Sequence, residues 1–401
     1  MQKVVAIIGT LDSKGVEYKY LKEQIEAHGV KTLVIDTGSL GKPYFPPEVS
    51  AAEVAKAGGG DLTELGRKKD RGESVATMGR GAAVIVKELY EKGRFDGVIA
   101  LGGSAGTSIG TTAMRALPTG VPKLMVSTVA SGDTRVYVDV KDITMMPSVV
   151  DVAGINRLSS KILANAAGAI VGMVKAEPKS IGEDKVLIGA TMFGVTTPCV
   201  TKAREILEAA GYEVLVFHCT GVGGRSMEDL IRGGFIKGVL DITTTELADE
   251  IGGGVFTAGP NRLEAAGEIG IPQVVCPGAL DMVNFGPPDT VPDKFKDRQF
   301  YQHNPQVTLM RTTVDENREL GKLIAGKLNK AKGPTTFVMP KKGVSLIAKE
   351  GGPFYNLDTE QAFLEGLKAN LNEKIKLIEM DTDINDEKFA KTVADELLKN
   401  L

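Results

Sequence analysis

Short unbroken apolar runs alternate with longer amphipathic segments along the whole chain, separated by stretches rich in glycine and hydroxyl residues. The run at 97–101, Gly-Val-Ile-Ala-Leu, carries no polar residue and predicts a strand buried on both faces, which belongs in a parallel sheet. It breaks into Gly-Gly-Ser-Ala-Gly-Thr-Ser at 102–108 and resumes as a helix-compatible segment through Met114, so the glycines stand where a strand hands over to a helix N-terminus. Upstream, 4–8 predicts a first strand, 16–27 a helix closed by Gly29, and 31–35 a second strand ending in Asp36, which together make a βαβ unit. Residues 38–60, with Pro43, Pro46, Pro47 and Gly58-Gly59-Gly60, predict a loop with a short helix, and 73–91 predicts the long crossover helix. Downstream, strands are expected at 123–126 and 136–140, followed by a small-residue-rich helix over 151–174 that bears Asn156 and Arg157.

Residues 178–184 combine charge, Pro and Gly and read as a linker between a first lobe, 1–177, and a second, 185–401. The pattern then restarts: strands at 186–190, 212–217 and 238–242, helices at 199–210 and 227–231, and loops at 191–198, 218–226 and 243–246. A strand and its turn follow at 273–281. The Pro- and charge-rich excursion at 284–304 is expected to be a lid, an arm or an oligomer contact. Residues 307–310 then lead through Arg-Thr-Thr at 311–313 into a helix at 314–328, and strands at 336–339 and 375–379 are followed by helices, with 358–371 between them and 386–398 last. The fold class is α/β, with two Rossmann-like, doubly wound lobes of mostly parallel sheets facing each other.

Composition narrows the partners. Across 401 residues, 48 Lys+Arg against 51 Asp+Glu give a formal charge of -3, and no basic run is interleaved with aromatics, so no nucleic acid is expected. No apolar stretch is long enough to cross a bilayer, and the run at 4–8 is too short for a signal segment. Cys199, Cys219 and Cys276 are odd in number and far apart; a disulfide framework is not expected, and the cytoplasm is the default compartment.

The candidate chemistry sits in the loops. At 102–108, free N–H groups, the helix dipole and the hydroxyls of Ser104, Thr107 and Ser108 suit a phosphate or carboxylate, although a tight structural turn has the same composition. The stretch lacks the Lys-Ser/Thr pair of a P-loop and is not a strict G-x-G-x-x-G. Asp36 either holds a ribose or caps its turn, and the loop at 127–134, opening with Ser127 and Thr128, is expected to converge on the same crevice. In the second lobe, His218, Cys219, Glu246 and Asp281 lie at or just beyond strand ends. His218 with Glu246 and Asp281 suits general acid–base work, while no H-x-x-x-H or C-x-x-C spacing supports a metal. For His218, a hydrogen-bonded strand-end histidine is the plain alternative, and Cys199 and Cys276 read as small core residues.

Several strings carry a family resemblance. Gly-Thr-Leu-Asp-Ser-Lys-Gly at 9–15, Leu-Gly-Gly-Ser-Ala-Gly-Thr at 101–107, Asp-Val-Ala-Gly-Ile-Asn-Arg at 151–157, Met-Phe-Gly-Val-Thr-Thr-Pro at 192–198, Phe-His-Cys-Thr-Gly at 217–221, Thr-Thr-Thr-Glu-Leu at 243–247, Cys-Pro-Gly-Ala-Leu-Asp at 276–281 and Met-Arg-Thr-Thr at 310–313 resemble the Tm-1-like ATP-binding, or UPF0261, family across nearly the whole chain. Ala105 stands where that family more commonly has Gly. The resemblance implies ATP at the glycine loop of the first lobe and self-association as a dimer or higher homo-oligomer. Phosphates would then lie against Gly102, Gly103, Ser104, Gly106 and Thr107, with Thr10, Ser13 or Lys14 on the adjacent strand end, and Mg²⁺ would accompany the nucleotide. Lys14 is either the counter-charge or a surface lysine. Two functions follow: a cytoplasmic enzyme acting on a small anionic metabolite between the lobes, with ATP as co-substrate or effector, or a non-catalytic nucleotide-binding module presenting a surface to a protein partner. A nicotinamide dehydrogenase fits less well, since the first strand turns through Gly-Thr-Leu-Asp-Ser.

Overall fold

The computed structural model describes residues 2–177 and 184–401, so the expected linker at 178–184 lies outside the described residues apart from Asp184. The chain forms two compact units, Met1–Ile181 and Gly182–Leu401.

The N-terminal unit runs β1 (Val4–Gly9), α1 (Gly15–Ala27), β2 (Lys31–Asp36), α2 (Ala51–Ala57), α3 (Leu62–Lys68), α4 (Arg71–Glu91), β3 (Gly97–Gly102), α5 (Ser104–Arg115), β4 (Lys123–Ser127), α6 (Arg135–Val138), β5 (Thr144–Pro147) and α7 (Ser159–Lys175). Its five strands are parallel in the order β2-β1-β3-β4-β5. Alternate side chains leave the sheet on opposite faces. Ala6, Ile8, Val98 and Ala100 pack with α2, α4 and α5, while Val5, Ile7, Ile99 and Leu101 pack with α1 and α7. With apolar cover on both faces, a strand has no wet side to keep polar, which is why these runs are continuous. Two expectations are corrected. Residues 136–140 are not a strand: Asp133 accepts the Arg135 N–H at 3.1 Å and starts the short helix α6, and the fifth strand is β5. The helix expected from 151 begins at Ser159, because Asn156 Oδ1 accepts the N–H groups of Leu158 and Ser159, both at 2.9 Å, and so precedes the helix.

The C-terminal unit continues with β6 (Leu187–Met192), α8 (Thr197–Ala209), β7 (Glu213–His218), α9 (Val222–Arg232), β8 (Ile236–Thr243), α10 (Thr245–Gly252), α11 (Ala265–Ile269), β9 (Gln273–Gly278), β10 (Met282–Phe285), β11 (Phe300–Asn304), β12 (Val307–Arg311), α12 (Val314–Leu328), β13 (Thr335–Pro340), α13 (Leu357–Lys368), β14 (Lys376–Met380) and α14 (Glu387–Leu398). Six parallel strands order as β14-β13-β9-β8-β6-β7, and β10-β12-β11 form a separate antiparallel sheet. The excursion at 284–304 is therefore framed by strands: β10 enters it, and β11 closes it as an edge strand. The glycines at 223 and 224 are likewise inside α9, which starts five residues earlier than the sequence pattern suggests. Among the described residues no helix is long and apolar enough to cross a membrane.

Candidate functional site

In the N-terminal sheet the chain winds outward in both directions from β1, so β1 and β3 are neighbours whose crossovers leave to opposite faces. Their C-terminal ends are a topological switch point, where the departing loops part and open α/β sheets receive ligands. Three glycines shape this point, each for a different reason. A Cβ on Gly9 would fall 2.0 Å from Tyr18 Cζ. That ring must come close because the fully buried Tyr18 hydroxyl donates to the Leu101 carbonyl at 2.5 Å and accepts the Leu101 N–H at 3.1 Å, fixing the residue before the glycine loop. Burial pushes the Tyr18 phenol well above its ordinary pKa, so it stays a donor. A Cβ on Gly102 would meet Gly106 Cα at 2.9 Å, which makes this glycine a packing requirement between strand and helix. Gly103 differs: it is the N-cap of α5, no side chain caps that helix, and the nearest atom to a Cβ there is Thr128 Oγ1 at 3.7 Å. The opening N–H groups of α5 thus lack an internal side-chain acceptor.

Around this helix start lies a cavity of about 620 Å³. The β1 loop contributes Thr10, Asp12, Ser13 and Lys14, the β3 loop contributes Gly102, Gly103, Ala105 and Gly106, and Lys69, Arg71, Met78, Ile109 and Asp151 complete much of the remaining wall. A wall that combines three cations and an uncapped helix N-terminus with the apolar side chains of Leu40, Val75, Met78 and Ile109 suits an anion attached to an apolar group. Lys14 Nζ also donates to the Val152 carbonyl, and Asp12 Oδ2 pins the 38–41 loop by accepting the N–H groups of Leu40 at 2.7 Å and Gly41 at 3.1 Å.

Of the residues expected here, Thr10, Ser13, Lys14, Gly102, Gly103 and Gly106 line the cavity, and the others stand elsewhere. Asp36 is buried, and its Oδ1 accepts from Leu11 N at 3.1 Å and Gly38 N at 2.8 Å, which ties two loops together and answers to the turn-capping alternative. Thr107 is buried and shares a 2.6 Å hydrogen bond with Ser127, Ser104 is an exposed first residue of α5, and Thr128 borders a neighbouring cavity. Lys69, Arg71 and Asp151 are additions. Lys69 adopts a left-handed conformation, φ 53°, between α3 and α4, and that sharp turn delivers both cations to the wall. The charged run at 67–72 was the signal available for them.

The C-terminal unit repeats the switch-point topology between β6 and β8 but fills it from within. Glu246 is fully buried; its Oε1 accepts the N–H groups of Gly221 at 2.8 Å and Gly224 at 3.1 Å, capping α9, and its Oε2 receives Arg262 Nε at 2.6 Å. Arg262 grips Asp241 through two further bonds of 2.5 and 2.6 Å. Glu246 therefore serves as the loop's own anion, and Cys219, also fully buried, is not at a crevice mouth. Asp281 sits apart from it, buried, accepting from Ser345 Oγ at 2.9 Å in a cluster with Arg311 and Glu360. Burial raises Asp281 above the ordinary carboxylate range, and burial beside Asp281 lifts Glu360 to about 8. His218 is exposed at the end of β7, its ring 5.3 Å from that of Phe193. The three expected acid–base residues thus have separate sets of partners. Among the described residues no group of three or more His, Cys, Asp or Glu is arranged to hold a metal.

Residues 3–179 match the N-terminal domain of the uncharacterised protein family UPF0261, and 185–401 match its C-terminal domain. A UPF0261 protein of Clostridium tetani is 57% identical over 99% of both chains, and one from Mesorhizobium japonicum is 46% identical over 98% of both. The ToMV susceptible protein tm-1(GCR26) of Solanum lycopersicum is 42% identical over 98% of this chain and 55% of its own length. Likeness to solved structures is slight: a Staphylococcus aureus MnaA–UDP structure aligns with 100% of this chain and 98% of its own at 11% identity and a TM-score of 0.24.

Proposed function

The chain belongs to the UPF0261 family, and from that premise we propose that its N-terminal unit is a nucleotide-binding module that takes ATP in the crevice between the ends of β1 and β3. The observation that carries this reading is the uncapped start of α5 at a switch point, inside a cavity walled by Lys14, Lys69 and Arg71. Phosphates would take the N–H groups after Gly103 and the hydroxyls of Thr10 and Ser13, and the apolar wall at Leu40, Val75, Met78 and Ile109 suits a nucleobase. Bound ATP would bring a polyanion with an activated phosphoryl group. Mg²⁺ would ride on the phosphates, with Asp12 and Asp151 the carboxylates on hand.

Between turnover and partner presentation, the C-terminal unit favours the second. Its best acid–base candidate, Glu246, is already engaged by Arg262 and two backbone N–H groups, and Asp281 is buried elsewhere. Self-association remains part of the proposal on the family resemblance alone. The experiment is calorimetric titration of the full chain with ATP, with and without Mg²⁺, beside a phosphate-release assay across small anionic metabolites. Saturable binding without release supports the module; release that needs one metabolite would restore the enzyme. Absence of saturable binding would end the nucleotide reading.

A further inference from the structure

The C-terminal ends of β4 and β5 and the loops after them border a second, open cavity in the N-terminal unit, of about 390 Å³, that the nucleotide reading does not use. Its wall includes Ser127, Thr128, Ser131, Ser148, Val149 and Asp151. Both cavities fall in the range of roughly 300–1,000 Å³ typical of small-molecule sites, and Asp151 belongs to the wall of each. Thr128 Oγ1 would stand 3.7 Å from a Cβ on Gly103, so this second chamber borders the glycine loop.

The chemistry of the two chambers differs. Lys14, Lys69 and Arg71 line the first, whereas among the described residues no Lys or Arg lines the second. An anion entering it would meet the like charge of Asp151 without a counter-charge. A cation would meet a single carboxylate, one oxygen of which already accepts the Val152 N–H at 2.8 Å. What the wall offers in quantity is hydroxyl. Ser127 and Ser148 are spent on the protein, the first with Thr107 and the Val129 N–H, the second donating to the Val150 carbonyl at 2.7 Å. Thr128 and Ser131 are exposed, and a hydroxyl both donates and accepts. The rim is also set in advance: Val149 holds φ 63°, a strained conformation for a β-branched residue, and the Ser148 N–H is anchored to the Ser127 carbonyl at 3.0 Å.

We propose that this chamber is a second ligand site that takes a small uncharged polyhydroxylated molecule, a polyol or sugar, pairing its hydroxyls with Asp151, Thr128 and Ser131. The inference does not need a nucleotide next door, and its test is run without one. The full chain is titrated with glycerol, ribitol and glucose, with citrate, inorganic phosphate and ethanolamine as charged counterparts, and binding is followed by saturation-transfer NMR and calorimetry. At least one neutral compound should saturate. Thr128→Val should weaken it by about tenfold, the loss of one hydrogen bond, and Asp151→Asn by roughly a few-fold, the exchange of a charge-assisted hydrogen bond for a neutral one, without lowering the melting temperature, since both side chains are exposed. Lys69→Met, which touches only the first chamber, should leave polyol binding unchanged. The proposal is overturned if none of the neutral compounds saturates, if an anion or the amine binds more tightly, or if both variants bind as the parent does.

Discussion

Replacing Gly103 with Asp should strengthen the fold and abolish nucleotide binding, two effects of opposite sign from one side chain. Gly103 is the N-cap of α5, at φ −76° and ψ −162°, the extended geometry an N-cap takes, and no side chain caps the helix. Asp is a better N-cap than Gly by a few tenths of a kcal/mol, and its charge beside the helix dipole adds roughly 0.3–1 kcal/mol. A Cβ there has room, with its nearest neighbour 3.7 Å away. For a unit of this size the gain corresponds to a rise of about 2–4 °C in melting temperature. The new carboxylate takes the N–H groups proposed for phosphate and sets like charge against it. Two unit charges about 4 Å apart repel by about 4 kcal/mol at an effective dielectric constant near 20, which is close to a thousandfold in affinity. Calorimetric titration with ATP reads the affinity and scanning calorimetry the stability. Gly106 is the poorer target because its Cβ would press on the Leu101 carbonyl at 3.1 Å and confound binding with folding. A Gly103→Asp protein that melts higher yet binds ATP within a few-fold of the parent would refute the assignment of phosphate to this helix start.

Three further outcomes follow from buried groups. Tyr18→Phe strips the buried Leu101 N–H and carbonyl of their partner; at about 1–3 kcal/mol, or roughly 3–9 °C for a unit of this size, the N-terminal unit should melt earlier in scanning calorimetry, and an unmoved transition would count against the clamp. Arg262→Met leaves Asp241 and Glu246 buried without their cation, so the C-terminal unit should lose about 3–5 kcal/mol in urea unfolding while ATP affinity holds. Burial lifts Asp249 to about 7 from an ordinary 3.8, so the folded state binds a proton that the unfolded chain releases. The resulting stability is fully present below about pH 4 and drains away as pH rises through 7. Melting curves of Asp249→Asn should be flatter over that window, and an unchanged slope would assign the pH dependence to other groups.

The parallel cores were legible because burial on both faces writes itself as continuous apolar runs, as at 97–101, and because glycine is the only residue that Gly9 and Gly102 permit. What could not be read depends on which distant residue arrives. Glu246 at a strand end looks like a catalytic acid until Arg262, 16 residues on, is folded against it. Residues 300–304, Phe-Tyr-Gln-His-Asn, form an edge strand with every side chain exposed, and so lack the alternation that announces a sheet. Lys69 holds its turn with positive φ and no glycine to mark it.

The two units therefore share a topology and divide its consequences. A glycine loop feeding a helix N-terminus creates demand for a negative charge wherever it forms. In the C-terminal unit Glu246 meets that demand from inside the chain, which fixes α9 and consumes the carboxylate as a reagent. In the N-terminal unit the buried Asp36 is drawn off to Leu11 and Gly38, and the start of α5 has no side-chain cap. The two glycine loops differ in sequence, Gly-Gly-Ser-Ala-Gly-Thr-Ser at 102–108 against Thr-Gly-Val-Gly-Gly at 220–224, and what separates them is that a buried carboxylate caps the helix after the second and no side chain caps the helix after the first.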